Sequence, residues 1–170
     1  MSPGATMERV YLDLKARILA GTYPPGTRLE AAQLAKSLAS SATPVRDALY
    51  RLSGERIIES WHQEGFRQPL LSEADLVDLY WWTGALLLLA LKGRTPRSDL
   101  PGGLVDLATH PSYPEGIESL FRTIAIGSSI GELRASIINC VERSMTIRTL
   151  EARVDGVASD ALTSMADDYR

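Results

Sequence analysis

The sequence predicts a mainly α-helical protein, with a winged helix-turn-helix domain over residues 1–70 and a small all-helical domain over residues 71–170. Three observations predict this fold class. Apolar residues recur at helical spacing in three short segments before residue 54. A hairpin-like stretch lies between residues 57 and 70. Apolar-rich segments with helical start signals occupy much of the remaining chain.

The first domain begins with a helix whose apolar residues step by four. Val10, Leu14 and Ile18 form its stripe, and Gly21 supplies a stop. After a turn and a short extended piece over residues 23–29, a second short helix is predicted at residues 32–38. A turn of small residues at 39–42 then leads into a third helix, so the two short helices form a helix-turn-helix.

The third helix is predicted over residues 43–53. Thr43 is expected to cap it with its hydroxyl group, and Pro44 suits the first helical position, where its missing N–H costs nothing. Its exposed start carries Ser41, Thr43 and Arg46. Helical spacing forms the buried face from Val45, Ala48, Leu49 and Leu52.

A β-hairpin is expected after the third helix. Ile57, Ile58 and Trp61 indicate one strand, residues 62–65 a turn, and residues 66–70 the returning strand. This hairpin is the predicted wing.

Composition limits the function classes. The single cysteine, Cys140, excludes an internal disulfide, and the N-terminus does not resemble a signal peptide, so a cytoplasmic protein is predicted. The apolar run at residues 84–91 is judged too short to span a membrane. No glycine-rich phosphate loop, paired-cysteine metal motif or Ser/His/Asp arrangement indicates an enzyme.

Charge is distributed unevenly along the chain. Residues 1–70 hold nine Lys and Arg against seven Asp and Glu, a net charge of +2, whereas residues 71–170 hold nine against fourteen, a net charge of −5. This asymmetry favours contact with nucleic acid through the first domain alone.

The second domain is predicted to begin with a long helix over residues 72–92, opened by a capping-box spacing at Ser72–Asp75. This helix is apolar nearly all round, with Trp81 and Trp82 assigned to core or interface, so a partner subunit is the expected cover and a homodimer is predicted. A linker at residues 94–101, a helix at 104–108 and a loop at 110–114 follow. Further helices are predicted at residues 115–126 and 129–154, with a short helix or tail at 160–169.

The order of blocks in residues 8–70 resembles the winged-helix domain of GntR-type transcription regulators. The blocks that carry the resemblance are Val10-Tyr11, residues 18–21, residues 25–29, Leu34-Ala35 with Leu38, residues 43–49, Glu55 and Gly65-Phe66. The resemblance implies binding of double-stranded DNA, with the third helix in the major groove. The resemblance implies that Ser41, Thr43 and Arg46 contact phosphates or base edges of the DNA. It also implies that Gly65 lets the wing backbone come close to the DNA.

Three positions depart from the pattern of that family. Gln33 and Ala42 stand where the family commonly has basic residues, and Glu64 stands at the wing tip where a basic or amide residue is frequent. Lost phosphate contacts reduce affinity for DNA. The sequence leaves open an unusual operator, with Gln33 offering its amide to adenine, weak DNA binding, or a retained fold with lost binding.

In the GntR family, a helical C-terminal domain of the FCD kind binds a metal and a small carboxylate, but the resemblance here is thin. Glu118 and Phe121 echo the family motif, whereas Arg122 stands in place of the metal-binding histidine. No metal and no cofactor are therefore predicted, and a small-molecule effector remains an open possibility. Four arginines are expected to face solvent, although any that point inward would suit an anionic effector: Arg122, Arg134, Arg143 and Arg148.

Two functions are consistent with these patterns. The favoured one is a homodimeric regulator that binds a palindromic operator through Gln33, Ser41, Thr43, Arg46 and Gly65. The alternative is a protein-interaction or ligand-sensing dimer that keeps the winged-helix scaffold with weak or lost DNA binding. The sequence also allows a purely structural role for Arg46, in which it forms an ion pair with Asp47 or Glu55 instead of contacting DNA.

Overall fold

A computed structural model describes residues 3–61, 65–92 and 112–154. The chain divides into two compact units, Met1–Ser72 and Glu73–Arg170. The first contains three helices and a small sheet, and the second contains three described helices. The predicted fold class, a winged helix-turn-helix followed by a helical unit, is confirmed.

The three helices of the first unit are α1 (Pro3–Leu19), α2 (Ala31–Ser37) and α3 (Ala42–Gly54). In α1, the residues that step by four are fully buried, as their spacing predicts. Gly21 follows with a φ of 69°, and Ala39 has a φ of 45° in the turn between α2 and α3. These positive φ angles end one helix and redirect the chain after another.

The sheet of the first unit has three short antiparallel strands in the order β1-β3-β2: β1 (Arg28–Leu29), β2 (Glu59–Trp61) and β3 (Gly65–Arg67). Phe66 on the central strand pairs with Leu29 on one side and Ser60 on the other. The wing strands are shorter than predicted, since Ile57 and Ile58 precede β2 as buried core residues. The expected return over residues 66–70 is a strand only to Arg67, and Gln68 continues its backbone hydrogen bonding with Thr27 and Gly26.

A single apolar cluster holds the first unit together. It joins the buried faces of α1, α2 and α3 to Leu29, Ile57, Ile58 and Phe66 of the sheet region. Leu49 lies at its centre with no exposed surface. All four residues predicted for the buried face of α3 are buried.

Beside this core, a polar network connects α1 to the end of α3. The Tyr11 hydroxyl donates to the Glu55 carboxylate at 2.7 Å, and Lys15 Nζ lies 3.0 Å from Glu55 Oε2. The Arg51 guanidinium stacks 3.5 Å from the centroid of the Tyr11 ring. Burial acts to raise the pKa of Glu55, but hydrogen bonds from Tyr11 and Lys15 outweigh it, and the pKa is lowered.

The described helices of the second unit are α4 (Glu73–Lys92), α5 (Tyr113–Ile126) and α6 (Gly131–Val154). The loop predicted to extend through Pro114 is wrong, because α5 already includes that residue. Proline is tolerated there since the first N–H groups of a helix have no partner within it. The predicted helix at 104–108 and the tail at 160–169 lie outside the described residues.

The core of the second unit is built where α4, α5 and α6 meet, around Leu79, Leu87, Leu120, Ile137 and Val141. The apolar run at 84–91 belongs to a 20-residue helix that is long and apolar enough to cross a membrane, so judging it too short was wrong. Core helices of soluble proteins pass the same length and composition test. Here α4 contributes Leu79 and Leu87 to a protein core.

Several side chains of the second unit lie elsewhere than predicted. Trp81 and Trp82 are 72% and 50% exposed on α4, so they do not lie in the core, and their assignment to an interface stays a prediction. Arg148, expected to face solvent, is buried at 5% exposure. Arg122 is half-buried between Glu118 on its own helix, at 2.8 Å, and Glu142 on α6, at 3.2 Å.

Replacing Leu49 with Ala is expected to destabilise the first unit by about 2 to 5 kcal/mol, because it leaves a cavity at the centre of the cluster. Native-state hydrogen exchange of α1 and α3 amides measures this loss. Leu12→Ala on the exposed side of α1 is the matched control and should change the free energy of unfolding little. Equal effects of the two changes would contradict the assigned core.

The Glu55 network predicts an acid-dependent stability. Because folding lowers the pKa of Glu55, its stabilisation is complete above the unfolded-state pKa and is lost as pH falls through the folded-state pKa. The free energy of unfolding of the wild type should therefore exceed that of Glu55→Gln above about pH 5, and the difference should shrink on acidification. A difference independent of pH would show that the Glu55 carboxylate does not carry this stabilisation. Asp47→Asn is the exposed control.

Candidate nucleic-acid interface

At the start of α3, two exposed hydroxyl groups form no hydrogen bond with any other described residue. The N-cap residue is Ser41, with extended backbone angles and no side-chain capping bond, so the prediction that Thr43 caps the helix is wrong. Pro44 is the third helical residue rather than the first, a position whose N–H also lacks a helical partner. Ser41 and Thr43 are both exposed, so their hydroxyl groups remain accessible to an external partner.

Arg46 is exposed one turn into α3. Within residues 3–61, 65–92 and 112–154 it forms no ion pair. The competing partner Glu55 instead receives hydrogen bonds from Tyr11, Lys15 and Arg51. The neighbouring positions Val45 and Leu49 are buried, so the core anchors the helix while the guanidinium group of Arg46 points away from it.

A concave surface brings Arg46 together with Gly65 of the wing. The concavity has a volume of about 280 Å³ and is also lined by Arg28, Glu30 and Phe66. Gly65 has a φ of 89°, which side-chain-bearing residues rarely adopt, and a Cβ built there would meet open space. None of the described residues beyond its chain neighbours therefore covers the backbone of Gly65 on this side.

Arg28 and Glu30 are residues of this surface that the sequence did not single out. Arg28 Nε lies 3.7 Å from Glu30 Oε1, and both side chains are well exposed. An exposed pair of this kind contributes little stability. Among the described residues, the lining of the concavity holds two guanidinium groups and one carboxylate. The polar residues Arg28 and Glu30 flank the apolar Leu29. This alternation could have indicated that both face outward, because residues on either side of a buried strand residue do so.

The remaining predicted contact, Gln33, lies on the exposed side of α2. Its Nε2 donates to Glu30 Oε2 at 3.0 Å. Gln33 therefore adjoins the concavity through Glu30 without lining it. Ala42 is the first residue of α3, and Glu64 lies outside the described residues.

A metal site finds no support in the geometry. Among the side chains that the structure describes, no three of His, Cys, Asp or Glu come together as ligands. Glu118 and Glu142 are instead bridged by Arg122. A guanidinium group there supplies the positive charge between the two carboxylates.

Comparison with known proteins gives the family of the first unit. Residues 6–67 match the family described as bacterial regulatory proteins, gntR family. Over 70 residues the chain is 34% identical to YdhC of Bacillus subtilis strain 168, an uncharacterized HTH-type transcriptional regulator, covering 41% of this chain and 31% of YdhC. It is 33% identical over 70 residues to the HTH-type transcriptional repressor GlaR of Escherichia coli K12, covering 41% and 32%. The matches span about a third of the length of these relatives.

Structural similarity extends further along the chain than sequence similarity. McbR/YncC of E. coli superposes with a TM-score of 0.70 and 24% identity over 99% of this chain and 84% of that protein. Identity this low supports the fold alone. The sequence match identifies residues 6–67 as a helix-turn-helix domain of the gntR family of bacterial regulatory proteins.

Proposed function

We propose that the protein is a homodimeric transcription regulator that binds a two-fold symmetric DNA operator. The observation that carries the proposal is the exposed, unpaired Arg46 beside Gly65 in the concavity between α3 and the wing. Relatives of this domain are named as transcriptional regulators, which supports regulation rather than catalysis. Because a bacterial regulator of this kind binds DNA in the cytoplasm, we expect the protein to be cytoplasmic.

In this proposal α3 enters the major groove with its N-terminal end toward the bases. The Ser41 and Thr43 hydroxyls and the free N–H groups of the first turn contact phosphate oxygens or base edges. Arg46 pairs with a phosphate or with guanine, whose O6 and N7 suit a guanidinium group. The bare backbone at Gly65 comes close to the sugar-phosphate chain.

The charge of the interface predicts modest, salt-sensitive affinity. Of the described lining residues, Arg28 and Arg46 are cationic and Glu30 is anionic. Each phosphate contact contributes to the slope of binding against salt concentration. With Ala42 and Gln33 in place of basic residues, recognition depends more on hydroxyl and amide contacts than on phosphate neutralisation.

Dimerisation is proposed to use the exposed side of α4. That side carries contiguous large apolar side chains at helical spacing: Val77, Trp81, Trp82, Leu88 and Leu89, each at least half exposed. Monomeric proteins rarely leave such a patch in water, and aromatic residues are enriched at interfaces. A second copy covering this patch would give the operator its two-fold symmetry.

In the alternative function, the protein still forms a dimer but binds DNA weakly or not at all. A winged-helix scaffold that senses a ligand or a protein would retain the same core and the same α4 surface. The DNA-binding proposal is favoured by the position of the exposed Arg46, which lines one concavity with Gly65 of the wing.

Replacing Arg46 with Ala is expected to weaken operator binding by about 1 to 3 kcal/mol and to reduce the salt slope by about one if the contact is to phosphate. Fluorescence anisotropy with a selected duplex at several salt concentrations measures both quantities. Arg134→Ala, which removes the same charge from an exposed site on α6, is the control. If the wild type binds the duplex and the Arg46 variant binds it equally well, Arg46 does not contact the operator.

Replacing Leu88 with Glu is expected to shift the protein from dimer to monomer, because the new charge would be buried in the proposed interface without a partner. Sedimentation velocity measures the change. Ile126→Glu is the matched control, since Ile126 is similarly exposed near the end of α5 and lies off this patch. The α4 interface is wrong if both variants sediment as the wild type does.

A further inference from the structure

Tyr50 lies one helical turn after Arg46 on α3. The two residues are four apart, so their side chains are neighbours on one side of the helix. Tyr50 is 59% exposed, whereas Leu49 and Leu52 beside it have no exposed surface. Tyr50 therefore belongs to the exposed side of α3 that carries Arg46, and not to the side that packs in the core.

The wing holds the ring of Tyr50 in place. The centroid of this ring lies 5.0 Å from the ring centroid of Phe66 on β3, and the angle between the two ring planes is 83°. This is the favourable edge-to-face arrangement of two aromatic rings. Phe66 belongs to the buried core cluster, so the exposed part of Tyr50 lies away from this contact. A side chain that is already fixed in this way loses little conformational entropy when it binds a partner.

Tyr50 also adjoins the concavity of the proposed DNA interface. Arg46 and Phe66 both line that concavity, and Tyr50 neighbours the first and contacts the second. Four residues correspond to about 6 Å along a helix axis, and the major groove is about 8.5 Å deep. When the start of α3 points toward the bases, a residue one turn after Arg46 therefore lies near the mouth of the groove, where the phosphates are.

We propose that the Tyr50 hydroxyl donates a hydrogen bond to a DNA phosphate at the edge of the groove that α3 enters. This inference rests on the proposed DNA-binding function and adds an uncharged contact to it. Tyrosine is among the side chains that bind DNA phosphates. A phenol hydroxyl is a neutral donor at physiological pH, so the contact adds affinity without releasing the cations condensed on DNA. Salt concentration therefore distinguishes this contact from an arginine contact to phosphate.

Tyr50→Phe tests the proposal, because it removes the hydroxyl group and keeps the ring that packs against Phe66. Fluorescence anisotropy of the full chain with a selected duplex should show binding weakened about two- to tenfold at each salt concentration. The salt slope should equal that of the wild type, since no charge is lost. Tyr113→Phe, which removes a hydroxyl group from α5 in the second unit, is the matched control and should bind as the wild type does. Wild-type affinity of Tyr50→Phe, or a reduced salt slope, would overturn the proposal.

A second selection from a random pool of duplexes separates a phosphate contact from a base contact. The Tyr50→Phe protein should recover the same sequence as the wild type, because a phosphate contact carries no direct base information. A changed base preference at any position would assign the hydroxyl to a base edge and overturn the phosphate contact.

The failures of the two proposals are distinguishable. If the wild type binds no duplex at low salt, the proposed function fails and this inference fails with it. If the wild type binds and Tyr50→Phe binds equally well, the proposed function stands and the Tyr50 contact is wrong.

Discussion

The packing of α3 against α1 is the constraint on which the proposed DNA interface depends. Val45, Leu49 and Leu52 are fully buried in the shared cluster, and their spacing fixes the rotation of α3 about its axis. Once that rotation is fixed, Arg46 must lie outside, next to the wing. Fixing an interface side chain on a packed helix reduces the entropy lost on binding. A rigid core thus presents a defined contact to DNA.

The polar network at the other end of α3 serves the same purpose. Glu55 is held by Tyr11 and Lys15 of α1 and by Arg51 of its own helix. Glu55 follows Arg46 by nine residues, about 13 Å along the helix axis, so the two do not pair. The network ties the end of α3 to α1 and so helps to fix the helix that carries Arg46.

Much of the first unit could be predicted from sequence, because its buried residues follow clean helical spacing and its turns carry glycine or small residues. The exposure of Arg46 followed from the same spacing. The N-cap was misplaced because Ser41 and Thr43 are both suitable capping residues and only the backbone angles distinguish them. Arg28 was missed because β1 has only two residues, so the alternation around Leu29 is too short to stand out from its surroundings. In α6, buried Ser144, Thr146 and Arg148 break the expected polar and apolar pattern, so the inward direction of Arg148 could not be read from sequence.

The central claim is that the two-fold assembly reads DNA through α3 and the wing. Selection of bound duplexes from a random pool, at low and moderate salt, tests it most directly because it needs no prior operator. The proposed function predicts enrichment of an inverted repeat whose half-sites are about one helical turn apart, with stronger recovery at low salt. A pool that remains random at low salt, from protein that is folded and dimeric, would contradict it.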